Sequence, residues 1–207
     1  CLTQDIEGAK ALLEEAGWTD TDGDGWVDKD GKPFSFTLIT NRENKRRIAA
    51  AEMVAFALKE IGVEMNVEKM EFNAMTAKLR KKEFEAVLGG WSSALFVDPS
   101  AMWHSPVVDA EGKVVKAYEF NYTSYYNTAV DDLIDRGLAT PRPEDAAPIW
   151  KELQATIYAD QPYLFLWWRD DIVAIDKRFE NAQINTLSLM HHLSEWEVAP
   201  ENVKYDF

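Results

Sequence analysis

The segment DTDGDGWVD, from Asp20 to Asp28, has the residue types and spacing of a calcium-binding loop. It offers oxygen ligands at alternate positions and a glycine, Gly25, at the sixth, which suits a hard cation. At the seventh position such loops use a backbone carbonyl. The candidate calcium ligands are Asp20, Asp22, Asp24, Asp28 and the backbone of Trp26.

The twelfth position argues against a helix-loop-helix calcium hand. A hand closes its shell there with a bidentate Glu and an exiting helix, whereas this chain has Gly31 and then KPFSFTLIT, which is typical of a strand. Four carboxylates within nine residues repel one another unless a cation or solvent separates them. Two hypotheses stay open: a structural calcium ion, or a metal-free turn in which Asp side chains accept backbone N–H groups.

A second candidate site lies between Trp91 and His104, where aromatic rings and hydroxyls offer flat surface and hydrogen bonds to a peptide-like ligand. The candidate ligand-binding residues here are Trp91, Ser92, Ser93, Asp98, Trp103 and His104. Each has a structural alternative. A large aromatic is often a core residue, and Asp98 before Pro99 is a good helix cap. A single histidine is more often held by structural hydrogen bonds than bound to a metal.

A third candidate is the segment NYTSYYN, residues 121–127, which packs aromatic and amide groups into an expected loop. Its ligand-binding candidates are Tyr125, Tyr126 and Asn127. The alternative is capping, because Asn127 or Thr128 would cap a helix that begins at Ala129.

Motifs for catalysis are absent from the sequence. It contains no G-x-S-x-G, no H-E-x-x-H and no phosphate-binding loop of the G-x-x-x-x-G-K type. The adjacent histidines His191 and His192 point apart on a strand or helix, which disfavours a metal site. We therefore expect no enzyme and no required cofactor, although a hydrolase without a recognisable motif stays an alternative.

Helix and strand patterns alternate through the first 91 residues and predict an α/β (α+β) fold, a mixed sheet covered by helices. The predicted helices cover residues 5–16, 46–62 and 73–82, and the predicted strands are FSFTLIT, VEMNVEKM and FEAVLGGW. Irregular structure is expected from Trp91 to residue 126, where prolines, a glycine and many aromatics occur.

Two helices and one strand are predicted in the second half. The helices are NTAVDDLIDRGLA and IWKELQATIYAD, and Pro148 is expected in the first turn of the latter because proline deeper in a helix costs about 3 kcal/mol. PYLFLWW is apolar on both faces and predicts a central, buried strand.

Charge and composition limit the class of protein. The formal net charge of −14 disfavours binding to nucleic acid or to anionic lipid, and 46% apolar residues over 207 positions suffice for a core. The single cysteine, Cys1, excludes a disulfide framework and a cysteine metal site. No stretch reaches the roughly 18 apolar residues of a membrane span.

The ordered series of motifs resembles the C-terminal half of family 5 solute-binding proteins, the oligopeptide, dipeptide and nickel receptors of ABC importers. The motifs are AKALLEEAGWTDTDGDGWVDKDGKPFSFTL, LKEIGVEMNVEKM, FEAVLGGW, DPSAMWHS, FNYTSYYNTAVDDLID and YADQPYLFLWWRDDIVAIDKR. They cover nearly the whole chain, and their order carries the resemblance.

The resemblance implies one lobe of a two-lobed clamshell of the periplasmic-binding-protein type II. Residues 1–180 would form the C-terminal ligand-binding lobe, and residues 181–207 a tail that returns toward a missing N-terminal lobe. The implied function is to bind a peptide-like solute and present it to the membrane permease of an ABC importer. The implied location is the periplasm, or a lipid anchor at the outer cell surface.

The resemblance also assigns roles near Trp91. In the peptide receptors a tryptophan at this place lines the cleft, and an aspartate shortly after it pairs with the ligand's terminal amine. Here the residue three after Trp91 is Ala94, and the first acid is Asp98, a departure that bears on amine recognition.

The alternative function is a calcium-stabilised protein interaction module.

Overall fold

The computed structural model describes residues 3–92, 98–170, 172–185 and 188–204. The helices are α1 Ile6–Glu15, α2 Lys45–Lys59, α3 Phe72–Lys81, α4 Ser100–Trp103, α5 Thr128–Leu138 and α6 Pro143–Asp160. The strands are β1 Asp28–Lys29, β2 Lys32–Pro33, β3 Ser35–Asn41, β4 Glu64–Met70, β5 Ala86–Leu88, β6 Val107–Val108, β7 Val114–Lys116, β8 Phe179–Glu180, β9 Gln183–Asn185, β10 Ser188–His191 and β11 Glu197–Val198. Short 3₁₀ helices cover Leu193–Glu195 and Pro200–Asn202.

The main sheet is three-stranded and parallel, with the order β4-β3-β5. Parallel neighbours need crossover connections, and α2 and α3 supply them. Ile39 in the central strand is buried with Met75 and Leu79 of α3, and Ala51 of α2 is fully buried. The antiparallel pairs β1-β2, β6-β7, β8-β11 and β9-β10 form separate two-stranded sheets. The predicted α/β class and the first three helices and strands are confirmed.

A second core lies between α5 and α6. Val130 and Ile134 of α5 are fully buried and pack with Leu153 and Ile157 of α6 and with Trp103. The helices approach closely at Gly137, where a β-carbon would lie 2.3 Å from the ring of Trp150. The two predicted helices are therefore present, and a glycine sets how closely they approach.

The prediction for Pro148 was wrong. Helix α6 begins at Pro143, not at Pro148, so Pro148 lies inside the helix. Pro143 occupies the first helical position, where a missing N–H costs nothing, and it follows Arg142 in an extended conformation. Glu144 and Asp145 add favourable charge in the first turn. Ala146 is buried, and Leu153 and Ile157 are buried in the second core, which anchors the helix on both sides of the internal proline.

The prediction of a buried central strand at PYLFLWW was also wrong. Residues 162–168 form no strand, and the side chains of residues 164–168 are exposed, with Trp168 78% accessible; further along, Ile172 is 97% accessible. Tyr163 packs against the second core, and the ring of Phe165 lies 6.3 Å from that of Trp103 in the same core. Apolar residues on both faces indicate burial, but burial requires neighbours, and none of the described strands pairs with this segment.

The C-terminal part is built from short pairs. Strand β8 at residues 179–180 pairs with β11 at residues 197–198, so hydrogen bonds join the two sides of the predicted boundary at 180/181. That boundary stays a prediction. Among the described residues, no helix is long and apolar enough to cross a membrane.

Candidate functional site

The carboxyl ends of the parallel strands bring together residues from three parts of the chain. Ligands of open α/β sheets bind at this edge. Asn41 ends β3, Arg47 lies in the first turn of α2, and Gly90 and Trp91 follow β5. Thr40 fixes β3 to β5, because its buried hydroxyl donates to the Leu88 carbonyl at 3.0 Å.

Arg47 is held at this edge by one hydrogen bond, and its guanidinium lies close to Gly90. Its Nη1 donates to Asn41 Oδ1 at 2.9 Å, and its Nη2 would lie 2.6 Å from a β-carbon at Gly90. Burial, followed by repulsion from Arg46, lowers the pKa of Arg47. Arg47 forms no ion pair with any residue that the structure describes.

Trp91 forms an aromatic platform with Phe120 and Tyr122. The ring centroid of Trp91 lies 5.2 Å from that of Phe120 and 5.9 Å from that of Tyr122, with Tyr122 nearly parallel to it. Trp91 stays 46% exposed. The sequence left two interpretations of Trp91, a core residue or a ligand-binding residue. Its exposure favours the second, because an exposed flat ring is available to a ligand.

The platform depends on Asn121, which lies between Phe120 and Tyr122 and is 5% exposed. Its Nδ2 donates to the carbonyls of His104 (3.2 Å) and Tyr125 (2.8 Å), and its Oδ1 accepts the Tyr125 N–H at 2.8 Å. One buried amide therefore fixes the loop that carries the platform.

Trp103 lies in the second core and is only 8% exposed. Its ring meets Tyr163 edge-on at 4.7 Å and Tyr125 at 6.0 Å. The structure thus places this predicted ligand-binding residue below the surface.

His104 lies between α5 and the segment after β7. Its Nδ1 lies 3.3 Å from Asp131 Oδ1 and its Nε2 3.7 Å from Asp135 Oδ1, while its ring stacks on Tyr118 at 4.7 Å. Its side chain is mostly buried. These contacts give His104 a structural role, which the sequence analysis named as the alternative to ligand binding.

Tyr125 and Asn127 join the start of α5 to the end of α6. The Tyr125 hydroxyl donates to Asp160 Oδ2 at 2.5 Å, and Asn127 Nδ2 donates to the same oxygen at 2.7 Å. Asn127 also caps α5, because its Oδ1 accepts the N–H groups of Ala129 and Val130. Burial and the bond to Asp160 raise the pKa of Tyr125 to about 12, and the same bonds from Tyr125 and Asn127 lower the pKa of Asp160. Tyr126, by contrast, is exposed.

The Tyr125–Asp160 bond predicts a specific pH dependence. The folded pKa of Tyr125 lies above its unfolded value of about 10, so its contribution is present at neutral pH and is lost between about pH 10 and 12. The folded pKa of Asp160 is depressed, so its contribution is lost as pH falls below the unfolded value of about 3.9. Tyr125→Phe should therefore be less stable than the wild type at pH 7 and equal to it near pH 12. Urea unfolding at several pH values measures this difference.

Tyr126→Phe is the matched control, since it removes a hydroxyl from the neighbouring exposed tyrosine. At pH 7, where Tyr125→Phe should be less stable than the wild type, Tyr126→Phe should match it, because Tyr126 is exposed and its hydroxyl forms no hydrogen bond with the residues that the structure describes. A constant gap between Tyr125→Phe and the wild type from pH 7 to 12 would contradict the prediction.

Asp98 lies one residue before the N-cap of α4, which is Pro99 and not Asp98 as the sequence offered. Its Oδ1 accepts the Ser100 N–H at 3.0 Å, and Pro99 immediately precedes α4. Ser92 is exposed after the platform tryptophan. Ser93 lies outside the described residues.

The Asp-rich loop is closed by its own hydrogen bonds. Asp20 accepts the N–H groups of Gly23 and Gly25, and Asp28 accepts the N–H and hydroxyl of Thr21. Asp24 accepts the N–H of Trp26. One oxygen each of Asp20, Asp22 and Asp28 lies within 4.8 Å of the others, and Asp24 is outside this group. The bonds are those of the metal-free turn, and calcium binding stays a prediction. The strand after the loop confirms that it is not half of a calcium hand.

Sequence reasoning missed Arg47 and Phe120, and it included Asn121 and Tyr122 only as part of the candidate segment 121–127 without assigning them a role. One signal was available for Arg47. The first turn of a helix favours acidic residues, yet α2 has none there and carries Lys45, Arg46 and Arg47 instead. The platform partners had no comparable signal, because only the fold brings Phe120 and Tyr122 beside Trp91.

The described residues place an exposed aromatic ring, Trp91, and a cationic side chain, Arg47, at the carboxyl edge of a parallel α/β layer. Residues 2–111 match the family described as bacterial extracellular solute-binding proteins, family 5 Middle. The chain belongs to this family.

Two curated proteins are similar over most of the chain. The oligopeptide-binding protein AppA of Bacillus subtilis is 33% identical over 193 residues, covering 92% of this chain and 34% of AppA. A probable ABC transporter-binding protein of Deinococcus radiodurans is 30% identical over 200 residues. The match covers 87% of this chain and 33% of the Deinococcus protein. The chain spans about a third of the length of these relatives.

The fold matches that of a solved relative. The structure of Bacillus subtilis AppA in complex with a nonapeptide superposes with a TM-score of 0.78 at 32% identity, covering 94% of this chain and 38% of that one. This confirms the predicted fold class, an α/β lobe of the type II clamshell architecture.

Proposed function

We propose that this chain is the ligand-binding lobe of the substrate-binding component of an ABC importer and that its ligand is a peptide. The single observation that carries the proposal is the exposed Trp91 platform beside Arg47, at the carboxyl edge of a parallel sheet. The similarity to AppA supports the ligand class, since AppA binds a nonapeptide.

A peptide suits this surface for physical reasons. Apolar side chains of a peptide would lie on the Trp91 ring, and the polar groups of Ser92 and Asp98 are exposed nearby in sequence for its backbone or amine. Binding without chemistry suffices for a receptor: a ligand held between two lobes stabilises the closed state, and closure is what a permease would sense. On this proposal the protein is not an enzyme.

The second lobe of the proposed receptor would cover apolar surface that is open here. Leu164, Trp167, Trp168 and Ile172 are exposed large apolar side chains close together in sequence, and exposed apolar surface is typical of interaction sites. The relatives supply about twice this chain's length in further polypeptide. We place the proposed receptor outside the cell membrane, in the periplasm or on a lipid anchor, where an importer's receptor meets its solute.

The test is the binding of di- to nonapeptides, with oligosaccharides as control ligands, to this chain and to the polypeptide of full family length. A peptide at a hundredfold excess over its Kd should stabilise the longer protein by about 2.7 kcal/mol. This chain alone should bind the same peptides more weakly, because half of the contacts are missing. Thermal unfolding measures the first effect and tryptophan fluorescence the second.

Trp91→Ala is the decisive variant, with exposed Trp168→Ala as its matched control in the isolated chain. Loss of the fluorescence response in the first variant alone would support the platform as the binding surface. Stabilisation by oligosaccharides and not by peptides would overturn the ligand class, and no response to either would overturn the receptor proposal.

A further inference from the structure

Helix α6 ends at a turn that its neighbours hold on both sides. Gln161, the C-cap of the helix, is left-handed with φ of 49°, a conformation that residues with a β-carbon rarely adopt. Before it, Asp160 accepts two side-chain hydrogen bonds, and after it, Tyr163 packs edge-on against Trp103 at 4.7 Å. A strained residue of this kind persists where its surroundings fix it. The turn therefore depends on both anchors.

Residues 162–168, which we call the exit segment, leave the second core at this turn. They pair with none of the described strands. The segment is anchored at its start on the ring of Trp103, whereas Trp167 and Trp168 further along are exposed. The two exposed rings therefore report any movement of the segment, and they belong to the apolar surface that the second lobe would cover.

A series of hydrogen bonds connects the turn to the Trp91 platform. Asp160 Oδ2 accepts the hydroxyl of Tyr125 at 2.5 Å. The N–H and the carbonyl of Tyr125 both bond at 2.8 Å to the side chain of Asn121, the buried amide that fixes the platform loop. Tyr125 therefore joins the end of α6 to the platform through one side-chain bond and two backbone bonds.

Tyr163 brings the start of the exit segment to the platform from a second side. Burial raises the pKa of its hydroxyl, and a hydrogen bond with the side chain of Trp91 opposes that rise. The same residue anchors the segment on Trp103. The ring that is available to a ligand thus also meets the segment that leaves this lobe.

We propose that the Tyr125–Asp160 hydrogen bond couples the Trp91 platform to the exit segment, so that a peptide on the platform changes the position of that segment. This rests on the proposed function and deepens it, because it gives occupancy of this lobe a route to the polypeptide that leaves it. Coupling between two sites is reciprocal, so disturbing the bond at its Asp160 end alters the platform as well. Tyr125 and Asp160 are positioning residues that act through Asn121.

The first test uses the chain without ligand and follows the indole N–H resonances of isotopically labelled protein by NMR. Tyr125→Phe removes the bond and keeps the ring. It should shift the resonances of Trp91 at the platform and of Trp168 in the exit segment. The resonance of Trp18, whose ring stacks on Phe34, should not move. Single Trp→Phe substitutions assign the resonances.

Asp160 tests the same bond from its other end. Asp160→Ala removes the acceptor and should shift the same two resonances, whereas Asp160→Asn keeps an acceptor oxygen for the Tyr125 hydroxyl and should return them toward the wild-type positions. Tyr126→Phe removes the hydroxyl of the neighbouring exposed tyrosine and is the matched control. Val63→Ala, at a buried position outside the second core, controls for lost stability. Both controls should leave the resonances in place, and circular dichroism confirms that each variant is folded.

The second test adds the peptide Ala-Ala-Leu-Ala-Ala, whose leucine side chain fits an apolar ring. In the wild type the peptide should shift the resonances of Trp91 and Trp168 with one Kd. In Tyr125→Phe and in Asp160→Ala it should shift Trp91 alone, and its Kd should rise about fivefold or more.

The outcomes separate this inference from the proposed function. Unchanged resonances of Trp91 and Trp168 in folded Tyr125→Phe and Asp160→Ala overturn the coupling, and so does a Trp168 response to peptide that survives in Tyr125→Phe. Equal shifts in Tyr126→Phe or Val63→Ala overturn it too, because any small change would then suffice. Absence of peptide binding by the wild type overturns the proposed function, and the ligand-free shifts then decide the coupling by themselves.

Discussion

Asn121→Ala should lower the free energy of unfolding by about 3 kcal/mol, from the cost of leaving buried polar groups unpaired. The substitution removes the partner of the Tyr125 N–H and of the carbonyls of His104 and Tyr125. Asn121 is 5% exposed, so water does not readily replace the amide. Urea unfolding should show a lower midpoint with an unchanged slope.

The same variant should change the candidate site, because Asn121 lies between two platform residues. Loosening of Phe120 and Tyr122 around Trp91 should alter tryptophan fluorescence below the unfolding transition. Asn121→Asp keeps the acceptor for Tyr125 N–H but loses both donors and buries a charge, so it should be at least as destabilising. Asn66→Ala, at an exposed position in β4, is the control. A loss below about 1 kcal/mol for Asn121→Ala would contradict the prediction.

Ile134→Ala should cost about 4 kcal/mol, within the range of 2 to 5 kcal/mol for large-to-small changes in a core. Ile134 is fully buried in the second core, between Leu153 and Ile157 of α6 and the ring of Trp103. The side chains around it belong to two helices and cannot collapse into the space without moving α5 against α6. Chemical unfolding of the purified chain measures the loss.

Leu138→Ala is the matched control on the same helix, since Leu138 is partly exposed at the end of α5. It should change stability by no more than about 0.5 kcal/mol. A similar loss in both variants would contradict the assignment of the core to the face of α5 that carries Ile134.

The elements of the first 91 residues could be predicted because their signals are local. Ile48, Ala51, Ala55 and Leu58 recur at helical spacing in α2, and Ala51 on this face is fully buried. Capping was equally local: the sequence offered Asn127 or Thr128 as the cap of α5, and the structure has Asn127, whose side chain accepts two N–H groups of that helix.

Burial was the property that local patterns could not provide. PYLFLWW has the composition of a central strand, but a strand needs hydrogen-bonding neighbours, and the described sheet ends without reaching it. Trp91 and Trp103 are equally apolar by type, yet one is 46% exposed and the other 8% exposed. The difference arises because α5 and α6 pack over Trp103 only.

The sequence by itself determined the family, the α/β class and the order of the first three helices and strands of the main layer, because these depend on residue type and spacing along the chain. Only the tertiary structure decided that Arg47, Asn41 and Gly90 share one sheet edge and that Phe120 and Tyr122 complete the platform of Trp91. Those contacts join residues up to about forty positions apart. Such pairings are fixed by how strands and helices pack together, and no local pattern records them.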